Sequence, residues 1–196
     1  MSVLIIGTII FFVVHLTPPI KTVREHLVAR LGENRYLGLY VASSVVGMMM
    51  IIVGKAISEF VHIWTPPAWA GRLSVLIMLP ACVLITAMAL PTNIKRYTRH
   101  PMLWGIALWS AAHCLANGDL ASIILFGGFG AYALFSMWSL NQRGAVRSMT
   151  IYGPARDVLV IVVGLVGYGA LVYLHPYLFG IEAAPELVRT LGVRTG

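Results

Sequence analysis

The stretch RHPMLWGIALWSAAHCLANGD, residues 99–119, contains the start of one predicted apolar helix, its whole length and the turn that follows it. Its proline suits the first turn of a helix, because an N–H group there has no intrahelical partner to lose. An apolar run follows and ends at Asn117-Gly118-Asp119, which is typical of a turn. A second apolar run begins immediately afterwards, so we expect two apolar helices joined by a tight turn.

Apolar blocks of this kind recur along the 196-residue chain, of which 59% is hydrophobic and only 11% charged. A soluble domain carries roughly a quarter charged residues, so the composition favours lipid as the solvent. Each block approaches the ~20 residues that cross a bilayer as a helix. They are Met1–Leu16, Leu37–Ile57, Leu73–Leu90, Pro101–Ala116, Leu120–Leu140 and Val158–His175. We therefore predict an all-α polytopic membrane protein, a single bundle of about six transmembrane helices in one domain over residues 1–196, with a short polar C-terminal tail at about 177–196.

The net charge of +7 is distributed along the chain in a way that predicts its orientation. Ten of the 14 Lys and Arg residues lie in the connections after the first, third and fifth predicted helices, at 21–36, 91–100 and 141–156. Cytoplasmic loops are enriched in such residues, so we expect these loops inside and both termini outside. Because orientation accounts for the charge, we expect no nucleic-acid partner.

Small residues within the apolar blocks indicate packing. Cys82 and Cys114 form no spaced pair, and a zinc site needs more ligands of this kind, so we interpret both as core residues. Glycines in the fifth and sixth blocks, including Gly128, Gly164 and Gly167, predict close contacts between helices.

Two histidines, His15 and His113, lie within apolar blocks. Ionisable groups at membrane depth are rare and usually functional, although a neutral imidazole can also simply bond a neighbouring helix. His100 precedes His113 by 13 residues, roughly 20 Å along a helix, so these two cannot hold one ion. His15 is the best-placed partner on another helix, and two histidines from different helices suit a b-type haem.

The depths of the two imidazoles differ in this arrangement. His15 lies about 9 Å from the inner boundary at Lys21, whereas His113 lies roughly 20 Å above Arg99. A tilted haem, an early end of the first helix at Thr17-Pro18-Pro19, or deeper placement of the Arg99 end would bring them together. Otherwise only one of the two binds iron.

The sequence resembles the NnrU family of membrane proteins over about residues 5–165. The resemblance rests on the segment Arg99–Gly105 continuing through His113 to Asp119, and on Phe11–His15 followed by Arg24 and Leu31–Tyr36. It implies an association with denitrification, in nitrite and nitric oxide metabolism. The family is also related to the zeta-carotene isomerase of plants and cyanobacteria, a membrane enzyme that uses haem b.

The same resemblance implies roles for particular residues. His15 and His113 match the axial histidines of the isomerase, and His100 matches the histidine of its Arg-His-Pro motif. Arg24 and Arg99 either anchor cytoplasmic loops or pair with haem propionates, because a guanidinium fits a carboxylate with two parallel hydrogen bonds. Ser110 stands where the isomerase has a cysteine implicated in exchanging the iron ligand, so isomerase activity does not follow directly from the resemblance.

Several functions remain open at this point, and no catalytic residue is predicted. We expect a haem b protein of the bacterial inner membrane that acts in electron transfer, gas sensing or haem handling, with a nitric oxide or nitrite reductase system as partner. A haem-dependent carotenoid-type isomerase is the second hypothesis. Arg99-His100-Pro101 with Gly105 also resembles membrane methyltransferases that bind S-adenosylmethionine, but residues 141–152 lack the acids of those enzymes. The fourth hypothesis is a protein without chemistry of its own that serves only as a structural partner of a reductase.

Overall fold

The computed structural model describes residues 1–18 and 20–183, and within these residues the chain is helical with no strand. Its helices are α1 (Ser2–His15), α2 (Lys21–Leu31), α3 (Glu33–Ala56), α4 (Ala70–Ala89), α5 (Ile94–Tyr97), α6 (Pro101–Ala116), α7 (Leu120–Gln142) and α8 (Pro154–Phe179). A π-helical turn, Ile123–Gly127, interrupts the regular winding of α7. Most of the predicted polar tail lies outside the described residues.

Among the described helices, α3, α4, α7 and α8 are long and apolar enough to cross a membrane. The chain is therefore a multi-pass membrane protein by helix length and composition. All six predicted apolar blocks are helical, and these four are candidate membrane spans by length and composition. The other two, α1 and α6, have 14 and 16 residues, about 21 and 24 Å of helix against a hydrocarbon core of about 30 Å.

Exposed apolar side chains cover much of these helices. Val13 of α1 is 60% exposed, Leu76 of α4 is 60% exposed and Val166 of α8 is 67% exposed. Large apolar groups in such numbers are unfavourable in water and favourable against lipid chains. The exposed apolar surface therefore favours a lipid environment, as the high hydrophobic fraction of the sequence does.

The helices form two compact units, each assembled from two separate parts of the chain. The first unit comprises Met1–Thr65 and Asn117–Ala145, with α1, α2, α3 and α7. The second comprises Pro66–Ala116 and the described part of Val146–Gly196, with α4, α5, α6 and α8.

In the first unit, glycines allow α1 and α3 to approach backbone to backbone. A Cβ atom at Gly47 would lie 2.9 Å from the Phe11 nitrogen, and one at Gly54 would overlap the backbone of Leu4. Positions seven apart share a helix face, so Gly47 and Gly54 of α3 face Leu4 and Phe11 of α1 along one line. Leu4 and Phe11 are buried in the core of this unit.

In the second unit, α4 packs against both α6 and α8. Gly105 of α6 lies against the Ala81 carbonyl, and Gly164 of α8 lies against Val83, as the sequence predicts for that glycine. Ser74 donates a 2.7 Å hydrogen bond to the Ala112 carbonyl of α6. A Cβ atom added at Gly167 would meet no atom of another helix within 4 Å, so its predicted close contact is not found within the described chain.

Other predicted local features have mixed outcomes. Cys82 is buried, as expected of a core residue, whereas Cys114 is only partly buried. The basic connection after α1 is not a simple loop, because residues 21–31 form α2. Lys21 and Glu25 lie one turn apart on this helix, 3.6 Å from each other.

Candidate functional site

His15 is the last residue of α1 and is half-buried. Its Nδ1 atom lies 2.8 Å from the Phe11 carbonyl one turn earlier. A carbonyl only accepts, so this bond assigns the proton to Nδ1 and the lone pair to Nε2. The helix ends at His15, before Thr17-Pro18. An early end of the first helix was one of the three arrangements that could bring the two imidazoles to a similar depth.

Aromatic rings from three helices surround this imidazole. Phe11 of α1 stacks on it with ring centroids 3.8 Å apart, Tyr40 of α3 lies 5.3 Å away, and Tyr132 of α7 meets it edge-on at 6.0 Å. Tyr40 and Tyr132 were not among the residues predicted from the sequence. The sequence feature that could have indicated an aromatic site is the pair Tyr36 and Tyr40, which lie one helical turn apart after Leu31.

Arg24 connects to the same region through aromatic and polar contacts. Its guanidinium binds Glu33 at 2.8 Å and lies 5.7 Å from the centre of the Tyr36 ring. The Tyr36 hydroxyl is 2.9 Å from the hydroxyl of Thr17, two residues after His15. These contacts link Arg24, through Tyr36 and Thr17, to the residues that follow His15, while its guanidinium is paired with Glu33. The predicted contact of Arg24 with a haem propionate stays a prediction.

His113 repeats the local geometry of His15 in the second unit. It lies in the last turn of α6, and its Nδ1 atom is 2.8 Å from the Trp109 carbonyl. The same argument assigns the lone pair to Nε2. Buried Ser110 lies on the same face one turn before His113 and bonds the side chain of Cys114.

The two imidazoles therefore share three properties. Each lies in the last turn of one of the two short apolar helices, each has its tautomer set by a carbonyl of its own helix, and each has an aromatic neighbour. His15 belongs to the first unit and His113 to the second, and their pairing stays a prediction.

Arg99 and His100 lie at the start of α6, where the His100 carbonyl accepts the first helical bond, from Trp104. The helix runs without interruption from Pro101 to Ala116. His100 and His113 are consequently about 20 Å apart along it. The structure does not bring Arg99 and His100 together with His113.

The donor set fits an iron porphyrin better than a bare metal ion. Within residues 1–18 and 20–183, no three His, Cys, Asp or Glu side chains are grouped to hold a metal. Haem iron needs only axial donors, and histidines that bind metals usually donate their other N–H to a carbonyl or carboxylate. His15 and His113 both have this second bond.

The described chain has four candidate membrane spans and two short apolar helices, each with a histidine in its last turn. These features define a polytopic helical membrane protein with two candidate ligand groups. A family model described as "NnrU protein" matches residues 3–183. The chain therefore belongs to the NnrU family.

One curated relative supports the connection with the isomerase. The chain is 35% identical over 68 residues to "15-cis-zeta-carotene isomerase, chloroplastic" of Zea mays. The match covers 35% of this chain and 18% of the maize protein, so the chain corresponds to less than a fifth of that relative's length. A search of the solved structures finds no match.

Proposed function

We propose that this protein binds one haem b through Nε2 of His15 and Nε2 of His113. The observation that carries the proposal is the repeated geometry of the two imidazoles, each fixed by a carbonyl one turn earlier. Such a bond holds the ring in place and makes the other nitrogen a better donor to a metal. The aromatic neighbours of both histidines add apolar surface suited to a porphyrin.

When bound, haem supplies an iron that exchanges one electron or binds a small gas molecule. The chain's own contribution is to orient the two imidazoles and to exclude water through Phe11, Tyr40 and Tyr132. We propose a role in nitrite and nitric oxide metabolism, through electron transfer, gas sensing or haem handling beside a nitric oxide or nitrite reductase system. Membership of the NnrU family supports this association.

The proposed location is the bacterial inner membrane, with six crossings and both termini outside. In this arrangement α1 and α6 cross with the help of flanking residues, because each is shorter than the hydrocarbon core. The distribution of Lys and Arg supports the orientation.

A haem-dependent cis–trans isomerase is the second candidate, and the similarity to the maize protein favours it. Isomerisation of a double bond needs no net oxidant or reductant, so a bound haem would suffice as the catalyst. We rank this function below the first because Ser110 stands where the isomerase has a cysteine.

The proposal is tested by the haem content of the full chain purified in detergent from haem-replete cells. We expect about one haem per chain and a strong Soret band. His15→Ala and His113→Ala should each lose most of the haem, whereas His26→Ala, on the exposed α2, should retain it. A haem-free wild type, or both single variants with full haem, would overturn the proposal.

A further inference from the structure

We infer that one face of α7, formed by Tyr132, Ser136 and Ser139 and continued by the C-cap residue Arg143, holds the carboxylate edge of the ligand that His15 binds. These residues, here called the α7 polar stripe, are spaced by four, three and four positions. They therefore fall within about 60° of one another around the helix. No acidic residue occurs between Leu120 and Gln142. The inference rests on the proposed function, in which that ligand is haem b.

One end of the α7 polar stripe contacts the last turn of α1, and the other end contacts the segment that follows α1. The ring of Tyr132 is 6.0 Å from that of His15 and 5.6 Å from that of Phe12. Eleven residues later, the guanidinium of Arg143 donates a 3.2 Å hydrogen bond to the Pro18 carbonyl. The stripe thus runs beside the segment from His15 to Pro18.

Ser136 is the member that indicates a ligand. It is 1% exposed, and its hydroxyl has no hydrogen-bond partner among the described residues. Hydroxyls elsewhere in these helices bond the carbonyl four residues earlier, as those of Thr8, Ser44 and Ser74 do. Buried hydroxyls almost always have a partner, so an unpaired one requires an explanation. A ligand oxygen beside Tyr132 would provide it.

The chemistry of the stripe favours a carboxylate. Hydroxyls donate to anionic oxygens, and an Arg side chain recognises a carboxylate with two parallel bonds. Ser136 and Ser139 are both buried, at about 6 and 10 Å beyond Tyr132 along the helix. Haem b carries two carboxylates on one edge of its ring. The stripe would orient that edge toward Arg143 while His15 holds the iron.

The test compares haem with haem dimethyl ester, which lacks free carboxylates, by titrating the full-length apoprotein in detergent. The wild type should bind haem roughly tenfold more tightly than the ester. Ser136→Ala and Arg143→Gln should each lose much of that preference while binding the ester as the wild type does. Ser44→Ala is the matched control, because its hydroxyl is already paired within α3.

A second readout separates ligand binding from packing. Because Ser136 is unpaired in the described chain, apo Ser136→Ala should melt no lower than the wild type while it binds haem less tightly. An unchanged preference for haem in Ser136→Ala, with or without a lower melting temperature, would overturn the inference and leave the proposed function intact. A wild type that binds neither porphyrin would overturn both.

Discussion

The ammonium group of Lys55 donates a 2.8 Å hydrogen bond to the carboxylate of Asp119 and another of 2.8 Å to the hydroxyl of Ser122. This arrangement joins the last turn of α3 to the first residue before α7 in the first unit. Asp119 also accepts the backbone N–H of Ser122, which makes it the N-cap of α7. One buried carboxylate therefore fixes both the start of α7 and its attachment to α3.

Asp119→Ala should lower the free energy of unfolding by about 1–2 kcal/mol, since it removes a cap and a half-buried ion pair. Thermal melting in detergent measures the change. Glu25→Ala is the control, because Glu25 belongs to an exposed pair with Lys21 and should change stability by less than about 0.5 kcal/mol. Equal effects of the two substitutions would contradict the assignment.

The same carboxylate predicts a dependence of stability on pH. Burial raises the pKa of Asp119, but hydrogen bonds from Lys55 and Ser122 outweigh it and hold that pKa below its ordinary value of 3.8. A carboxyl group whose pKa is lower in the folded than in the unfolded protein stabilises the fold fully at any pH above the unfolded-state pKa. This stabilisation is lost as the pH falls through the folded-state pKa. The melting temperature of the wild type should exceed that of Asp119→Asn by a constant amount from pH 7 to 5. This difference should shrink below about pH 4. A difference that does not vary with pH would show that the charge of Asp119 is not involved.

The contact between α1 and α3 predicts opposite effects for two glycines of one helix. Gly54→Ala places a methyl group against the backbone of Leu4, which should destabilise the protein by about 1–3 kcal/mol. Gly38→Ala meets nothing within 4 Å and should stabilise the helix by up to about 1 kcal/mol. Melting curves of both variants check the prediction. A Gly54→Ala variant that melts no lower than the wild type would contradict the close contact between the backbones of α1 and α3.

Ser110 offers a test of the second candidate function. Ser110→Cys places a thiol on the face of α6 that carries His113, one turn before it. If the protein is an isomerase, the reduced wild type should convert a cis-polyene slowly, and this variant should convert it faster because a thiol then lies beside His113. Its haem spectrum should also change between the reduced and oxidised forms more than that of the wild type. Chromatography of the polyene isomers measures conversion, and Cys114→Ala is the control for an unrelated thiol. A Ser110→Cys variant with bound haem but neither effect would remove this candidate.

The elements with strong local signals were predictable. Pro101 begins α6, and the Thr17-Pro18 sequence follows the end of α1, because proline suits a first helical turn and opposes a helix interior. The histidines in apolar blocks were identifiable because an imidazole differs so strongly from its surroundings. Their bonds to Phe11 and Trp109 follow from the i−4 geometry of any helix.

Features that depend on long-range contacts were not predictable. Lys55 and Asp119 are 64 positions apart, and the sequence around either residue does not indicate that the two form an ion pair. The rings around His15 come from three helices, so only the packed structure brings Tyr40 and Tyr132 together with it. The α2 helix was missed because its mostly polar residues have no apolar block, whereas its helix-forming residues stabilise it locally.

The most direct test of the account is electron paramagnetic resonance of the ferric protein, because two axial imidazoles make haem iron low-spin. The wild type should give a low-spin signal, and His15→Ala and His113→Ala should each give a high-spin signal in whatever haem they retain. His26→Ala should match the wild type. A wild type that is high-spin, or one whose low-spin signal survives both single substitutions, would contradict ligation by His15 and His113.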